Sequence, residues 1–162
     1  MRDLSHLDDN GSAKMVDVSE KEASMREAAA RARVFVNTHT FSLIEAGKAK
    51  KGDVLAVAQI AGIQAAKRTC DLIPLCHPLL LTHIDVNCEL IAKGDSCYVE
   101  IVAQVRCRGE TGVEMEALTA ASVAALTVYD MCKSAQRDIM VGDICLLKKS
   151  GGKSGDYSLW EE

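Results

Sequence analysis

GVEMEALTAASVAALTVYDMCK, residues 112–133, is the stretch that decides how this chain folds. Its side chains are small or apolar around nearly the whole circumference of a helix, and charged groups lie only at its two ends. A helix that is apolar on all sides is normally buried. The pattern therefore predicts one long central helix over 113–136, with ionised side chains where the helix enters and leaves the core.

Two β-strands are predicted just before this helix, because apolar and polar residues alternate in both. The apolar faces consist of Ile84, Val86, Cys88 and Leu90 in the first strand and of Val99, Ile101, Ala103 and Val105 in the second. Residues 93–95, Lys-Gly-Asp, are typical of a hairpin turn, so the two strands should pair antiparallel. One apolar and one polar face predict a sheet that helices cover on a single side.

The rest of the chain supplies shorter elements. Ser19 and Glu22 fit a capping box, which predicts a helix over 19–30, and residues 31–37 then alternate like a strand. A short helix over 40–46 follows, and a longer helix runs from the N-cap residue Asp53 to about residue 70. Two prolines make 75–77 an extended or turning loop rather than a helix, and a last strand spans about 139–148.

The order strand, helices, strand, strand, helix, strand is that of an α+β fold, the ferredoxin-like split β-α-β arrangement. We expect a flexible N-terminal segment over 1–14, a single ferredoxin-like domain over 15–148 that carries any catalytic site, and a glycine- and lysine-rich tail over 149–162. The tail does not fit a phosphate-binding P-loop, because Leu147 stands where that motif needs glycine.

Composition and charge exclude several classes of protein. Of 162 residues, 48% are hydrophobic and 26% are charged, as in an ordinary globular domain. A net charge of −4 and only 4% aromatic residues argue against nucleic acid or a membrane as partner. No run approaches the roughly 20 apolar residues of a membrane span, so we expect a soluble cytoplasmic protein. Seven scattered cysteines without CxxC spacing do not indicate a disulfide framework.

Asp130 and Lys133 are the first candidates for chemistry, because residues three apart share one helix face. Burial would raise the pKa of the carboxyl group and lower that of the ammonium group, which suits a general acid–base pair. An ordinary ion pair near a helix C-terminus is the alternative. Glu114 and Glu116 at the helix start also have two interpretations. They are either functional acids or acids that the helix dipole alone stabilises in a first turn.

The two ends of the predicted helix are too far apart to touch one small substrate. Glu116 and Asp130 are separated by about 21 Å at 1.5 Å per residue, and they face nearly the same direction. If both act on one molecule, the helix start and the helix end must come from different subunits. The spacing therefore predicts an oligomer with shared sites.

The loop between the two prolines contains a further candidate, His77, preceded by Leu75 and Cys76. His77 is either a hydrogen-bond donor to a ligand or a structural residue. A histidine beside a cysteine can also indicate a metal site. No second pair of residues has zinc-like spacing, so no metal site is predicted.

Three cations are candidates for binding an anionic ligand. Lys51 lies just before a helix N-terminus, where phosphate is favoured, and Lys67 lies on an otherwise small and apolar helix. Arg26 is the third. For Lys67 and Arg26 the alternative is a solvated side chain whose stem lies along the surface.

Seven motifs spread over the chain resemble those of one known family. They are MVDV over 15–18, KGD over 51–53, AGIQAAK over 61–67, LIPLCHP over 72–78, TGVEMEALT over 111–119, YDMCK over 129–133 and KSGGKSGD over 149–156. Together they resemble cyclic pyranopterin monophosphate synthase, protein C of molybdenum cofactor biosynthesis. Departures such as Cys70 and the turn at 93–95 fall outside the candidate site.

The resemblance implies a ferredoxin-like lyase that converts (8S)-3′,8-cyclo-7,8-dihydroguanosine 5′-triphosphate into cyclic pyranopterin monophosphate and diphosphate. It also implies a homohexamer, a trimer of dimers, with sites at subunit interfaces. Carried over by position, Asp130 is the catalytic acid–base residue and Lys133 is its partner. The substrate-binding positions would be Leu75, Cys76, His77, Met115, Glu116, Lys51, Lys67, Glu114 and Arg26.

No cofactor is expected, although a divalent cation that accompanies the phosphates stays open. The alternative from another functional class is a non-catalytic, nucleotide-sensing oligomer, because ferredoxin-like subunits often bind small ligands between protomers. An oligomeric scaffold whose charged helix ends serve assembly alone is a second alternative.

Overall fold

The computed structural model describes residues 10–153 and 155–159, so residues 1–9 of the predicted flexible segment lie outside the described part. The elements along the chain are β1 (Ser24–Val36), α1 (Thr38–Glu45), α2 (Val54–Ala66), α3 (Thr69–Leu72), β2 (Leu81–Lys93), β3 (Ser96–Gly109), α4 (Glu114–Cys132), β4 (Met140–Ser150) and β5 (Tyr157–Ser158). This order contains the predicted succession of strand, helices, hairpin, long helix and strand.

The strands form one sheet in the order β2-β3-β1-β4-β5, and each neighbouring pair is antiparallel. β1 and β2 therefore run in the same direction with β3 between them, and α1 to α3 connect them. α4 connects β3 to β4 around β1 in the same way. Two crossovers with one strand inserted in each make the split β-α-β arrangement. The prediction of an α+β ferredoxin-like fold is thus confirmed.

The predicted hairpin is also confirmed. β2 and β3 pair as far as Lys93 opposite Ser96, so the turn consists of Gly94 and Asp95. Gly94 has a φ of 59°, which glycine adopts without steric cost. The register of this turn fixes which residues of the two strands face the core.

α2 and α4 pack against one face of the sheet. The predicted apolar face of β3 lies beneath them and is completely buried, namely Val99, Ile101, Ala103 and Val105. The opposite face carries cross-strand ion pairs, with Arg33 bound to Glu100 and Arg106 bound to Glu27. The alternation in the sequence therefore corresponds to one face against helices and one polar face.

The buried side of α4 consists largely of alanine, which lets α2 approach closely. Ala117, Ala120, Ala121, Ala124 and Ala125 have no exposed surface. A Cβ added to Gly62 of α2 would lie 3.0 Å from the carbonyl oxygen of Ala120. Since Lys51, just before α2, reaches Asp130 near the end of α4, the two helices are antiparallel. The start of each helix thus lies beside the end of the other.

The predicted helix over 19–30 is wrong. Residues 24–36 form β1, which pairs with β3 along its whole length and with β4 along much of it. Ser19 does not cap a helix, because its hydroxyl and its backbone N–H both donate to the Asp17 carboxylate at 2.6 and 2.9 Å. The alanines at 28–30 favour a helix locally, but pairing with two neighbouring strands outweighs that preference.

Other differences concern the ends of elements. α2 stops at Ala66 rather than near residue 70, and α3 forms a separate turn after it. α4 ends at Cys132, inside the predicted range 113–136. β4 continues to Ser150 and pairs with β5, which lies in the segment predicted to be a tail. Within the part of the chain that the structure describes, no helix is long and apolar enough to cross a membrane.

Candidate active site

Nine of the eleven predicted site residues, all but Arg26 and Lys67, fall into two groups at opposite ends of α4. The helix-end group consists of Lys51, Asp130 and Lys133. The helix-start group consists of Leu75, Cys76, His77, Glu114, Met115 and Glu116. Along α4, Glu116 and Asp130 are about 21 Å apart at 1.5 Å per residue. One chain therefore does not bring the two groups onto one small molecule.

The helix-end group is a three-membered charge cluster. The Lys133 ammonium lies 2.7 Å from one oxygen of Asp130, and the Lys51 ammonium lies 2.5 Å from the other. Lys51 also donates to the backbone carbonyl of Asp130 at 3.0 Å. Asp53 fixes the segment that carries Lys51, because its side chain accepts from Ala56 N–H at 3.0 Å and caps α2.

The predicted direction of the pKa shifts in this cluster is wrong for the single chain. Hydrogen bonds from Lys133 and Lys51 lower the pKa of Asp130 to about 2, and the bond to Asp130 raises the pKa of Lys133. Both side chains are about half exposed, at 53% and 54%. Because water remains on both groups, attraction between opposite charges outweighs desolvation. Both groups are therefore charged at neutral pH.

The helix-start group contains the carboxyl group whose pKa is raised. Glu116 is only 4% exposed, and burial raises its pKa, with the charge of Glu114 adding to the effect. No ion pair to Glu116 occurs among the described residues. The same burial raises the pKa of the Cys76 thiol nearby, and the Glu116 charge contributes. A perturbed acid in a cleft is a candidate for proton transfer.

His77 holds the segment around Val16 beside the helix-start group. Its Nε2 lies 2.8 Å from the carbonyl oxygen of Val16, and since a carbonyl only accepts, Nε2 carries the proton. Val16 and Val18 then form part of the wall of a cavity of about 440 Å³, which Leu75, Cys76, His77, Met115 and Glu116 also line.

A second cavity, lined by both cationic and acidic side chains, adjoins this one. Arg26 donates to the carbonyl oxygens of Gly109 and Glu110 at 3.2 and 3.3 Å. Gly152 lies so close to the Arg26 guanidinium that a side chain at this position would overlap with it. Arg26, Glu114 and Lys153 line a second cavity of about 780 Å³, which shares Lys21, Thr111, Gly112 and Glu114 with the first.

Lys149 is a candidate site residue that the sequence interpretation did not single out. Its ammonium lies 3.0 Å from a carboxylate oxygen of Glu114, and both side chains are only about one-quarter exposed. The pair joins the end of β4 to the start of α4. The basic motif 149–156 was the only available signal, but it gave no indication that Lys149 faces the helix start.

Lys67 and Lys51 lie at opposite ends of α2. Lys67 is the C-cap residue of that helix and is exposed, whereas Lys51 precedes its N-terminus. Thirteen residues of helix separate them by about 20 Å. A single chain therefore does not place both lysines on the same phosphate group.

Metal ligands are not grouped in the described ranges 10–153 and 155–159. No set of three or more His, Cys, Asp or Glu side chains lies close enough together to hold a metal ion there. All seven cysteines are free thiols. That the protein needs no cofactor stays a prediction, and a divalent cation that accompanies the phosphates stays open.

The sequence is similar to known proteins over nearly its full length. The model of the MoaC family matches residues 15–152, a range that contains both groups of candidate residues. Cyclic pyranopterin monophosphate synthase of Roseiflexus sp. (strain RS-1) is 57% identical over 157 residues, which cover 97% of this chain and 98% of that protein. The protein of the same name from Roseiflexus castenholzii (strain DSM 13941 / HLO8) is 57% identical over 156 residues, or 96% and 98%. The chain therefore belongs to the MoaC family.

Proposed function

We propose that this chain is a cyclic pyranopterin monophosphate synthase of molybdenum cofactor biosynthesis. The reaction converts (8S)-3′,8-cyclo-7,8-dihydroguanosine 5′-triphosphate into cyclic pyranopterin monophosphate and releases diphosphate. The observation that carries the proposal is 57% identity, over nearly the full length of both chains, to two proteins of that name. The candidate site supports it, because proton donors, proton acceptors and several cations lie around two cavities.

The chemistry requires proton transfers and a stabilised leaving group. Opening a purine-derived ring and rebuilding it as a pterin moves protons at several atoms, which is work for Asp130, Lys133 and the buried Glu116. Closing the cyclic phosphate expels diphosphate, whose charge needs cations. The candidates for these cations are Arg26, Lys51, Lys67 and Lys149. No dedicated metal site is proposed, and any divalent cation would arrive with the phosphates.

Each active site takes its parts from two chains. The helix-start group of one subunit would meet the helix-end group of another, since about 21 Å of helix separates them within a chain. A covering subunit would also remove water from Asp130 and Lys133, which would move their pKa values back toward neutrality. This agrees with a cytoplasmic homohexamer, a trimer of dimers, as the working form of the enzyme.

The direct test mixes the purified full-length protein with the cyclised triphosphate. Diphosphate release should accompany the appearance of cyclic pyranopterin monophosphate, identified by its mass, and the two should form in equal amounts. Binding without diphosphate release would instead support the nucleotide-sensing alternative. A denatured sample and a reaction with GTP as substrate are the controls.

A further inference from the structure

β4 is joined to β5 by a loop that contains most of the glycine- and lysine-rich motif. Within this loop the structure describes residues 151–153, 155 and 156. Three of these five residues are glycines at positive φ, with 90° at Gly151, 83° at Gly152 and 72° at Gly155. Because glycine has the greatest conformational freedom in the unfolded chain, such a loop keeps one conformation only if a specific interaction holds it.

Asp156 supplies an interaction of this kind. An oxygen of its carboxylate accepts from the N–H of Gly151 at 3.1 Å, which ties the last residue of the loop to the first. A hydrogen bond to a carboxylate is stronger than one between neutral groups. No ion pair to Asp156 occurs within 10–153 and 155–159, and the residue is exposed. Its side chain therefore acts on the loop backbone rather than on another charge.

The loop also lies against β1. At Gly151 a side chain would overlap with the carbonyl oxygen of Met25, and at Gly152 it would overlap with the guanidinium of Arg26. These close approaches place the backbone of the loop at the wall of the cavity of about 780 Å³, which Arg26, Gly152 and Lys153 line. The conformation of the loop thus sets where Lys153 lies in that wall.

The cations of this cavity are outnumbered by acids. Its charged lining residues are Lys21, Arg26, Lys153, Glu20, Glu22, Glu110 and Glu114. With three positive and four negative side chains, the cavity as a whole does not attract an anion. The distance of each ammonium group from a phosphate therefore decides whether the phosphate binds. No ion pair to Lys153 occurs in the part of the chain that the structure describes, so its ammonium group is available to a ligand.

Asp156 itself is not part of this cavity. It lines another one, of about 330 Å³, with Glu27, Lys148 and Tyr157 among the other lining residues. The two cavities share no lining residue. An effect of Asp156 on a ligand beside Lys153 must therefore pass through the loop.

We propose that Asp156 is a positioning residue for substrate binding. By holding Gly151, its carboxylate keeps Lys153 at the cavity beside the helix start, where the ammonium group pairs with a phosphate of the substrate. The inference rests on the proposed function, in which the substrate is a triphosphate and diphosphate is released. It gives Asp156 no contact with the substrate and no part in proton transfer.

The kinetic test compares Asp156→Ala with Asp156→Asn in the full-length protein. Alanine removes the acceptor, so KM should rise about three- to tenfold, the size expected of one hydrogen bond, while kcat stays within about twofold. Asparagine keeps an acceptor oxygen and should keep KM near that of the wild type. Asp95→Ala, in the turn between β2 and β3, is the matched control and should change neither KM nor kcat.

A second comparison identifies Lys153 as the group that is positioned. Lys153→Ala alone should raise KM. Adding Asp156→Ala to it should raise KM by less than about a further twofold, because the ammonium group is already absent. Equal effects of Asp156→Ala in both backgrounds would overturn the proposal, since Asp156 would then act independently of Lys153.

Two measurements need no turnover. Hydrogen–deuterium exchange resolved to single residues should show the Gly151 amide exchanging at least about threefold faster in Asp156→Ala than in the wild type or Asp156→Asn. Calorimetric titration with inorganic diphosphate should show weaker binding by Asp156→Ala and unchanged binding by Asp156→Asn.

Three results of these measurements would overturn the proposal: unchanged exchange at Gly151, equal losses in both Asp156 variants, and no binding of diphosphate by the wild type. A different result would separate it from the proposed function. If the expectations for exchange and diphosphate binding hold, but the wild type releases no diphosphate from the cyclised triphosphate, the proposed function fails and the positioning of Lys153 stands.

Discussion

The acids at the two ends of α4 have pKa values shifted in opposite directions. At the start, Glu116 is almost completely buried and has no ion-pair partner within 10–153 and 155–159, and burial raises its pKa. At the end, Asp130 is half exposed between two lysines, and ion pairing lowers its pKa to about 2. Carboxylates on one helix therefore differ in proton affinity because of their surroundings, not because of their position in the helix dipole.

The two ends also differ in how far water is excluded from the candidate acid within one chain. A buried acid beside a cavity of about 440 Å³ already has the environment that proton transfer needs. An exposed ion pair acquires that environment only when something covers it. Under the proposed function, the comparison therefore predicts that a second subunit is needed at the helix end.

The largest effect is expected from removing Asp130. Asp130→Asn should reduce the rate of diphosphate release at least 10²–10⁴-fold, because proton transfer at that position is lost. The oligomer measured by sedimentation should be unchanged. Asp138→Asn, at an exposed carboxylate beyond α4, is the matched control and should retain activity. Loss of assembly together with activity would favour the scaffold alternative.

A second prediction concerns the sharing of sites. Asp130→Ala and Glu116→Ala should each be inactive alone, but co-assembled mixtures should recover about a quarter of the wild-type activity if each site combines two chains. The reason is that one of the two sites in every mixed pair regains both intact groups. The measurement is diphosphate release after joint unfolding and refolding. No recovery from verified mixed oligomers would place both groups' functions within one chain or assign them to separate reactions.

Much of the fold was predictable because it depends on local patterns. The buried faces of β2 and β3, the Gly94 turn and the buried α4 follow directly from periodicity and turn chemistry. β1 was predicted only in its second half. Its first half is rich in alanine, which prefers a helix, and only pairing with residues near Gly109 and Ser150 makes it a strand.

The sequence motifs predicted which residues belong to the candidate site, but not how exposed those residues are or how their pKa values shift. Motifs identified both ends of α4, yet the direction of the Asp130 shift depends on how much water remains around it. That quantity is set by tertiary and quaternary contacts, which no local pattern reports. The contact between Lys149 and Glu114 joins distant parts of the chain, so spacing did not reveal it.

A third prediction uses the pH dependence of stability at the helix start. Because the pKa of Glu116 is raised above its ordinary 4.5, the folded state binds a proton more readily than the unfolded state. Stability therefore falls as pH rises from about that ordinary value through the raised one. Glu116→Gln removes this loss, so its Tm should exceed that of the wild type by a few degrees at neutral pH. The advantage should vanish below the ordinary pKa, as thermal unfolding across pH would show.

The smallest effect is the contribution of Asp130 to the pH dependence of stability. Its sign is opposite to that of Glu116. The pKa of Asp130 is lowered from 3.8 to about 2, so its contribution to stability is present above the ordinary value and is lost as pH falls toward 2. Asp130→Asn lacks this contribution, and its acid-unfolding curve should be slightly shallower in that window. Since the cluster is half exposed, the change should be small in the dissociated chain. A raised Asp130 pKa in the assembled protein, measured by carboxyl NMR, would show that a partner covers it, whereas a value near 2 in both states would contradict the shared site.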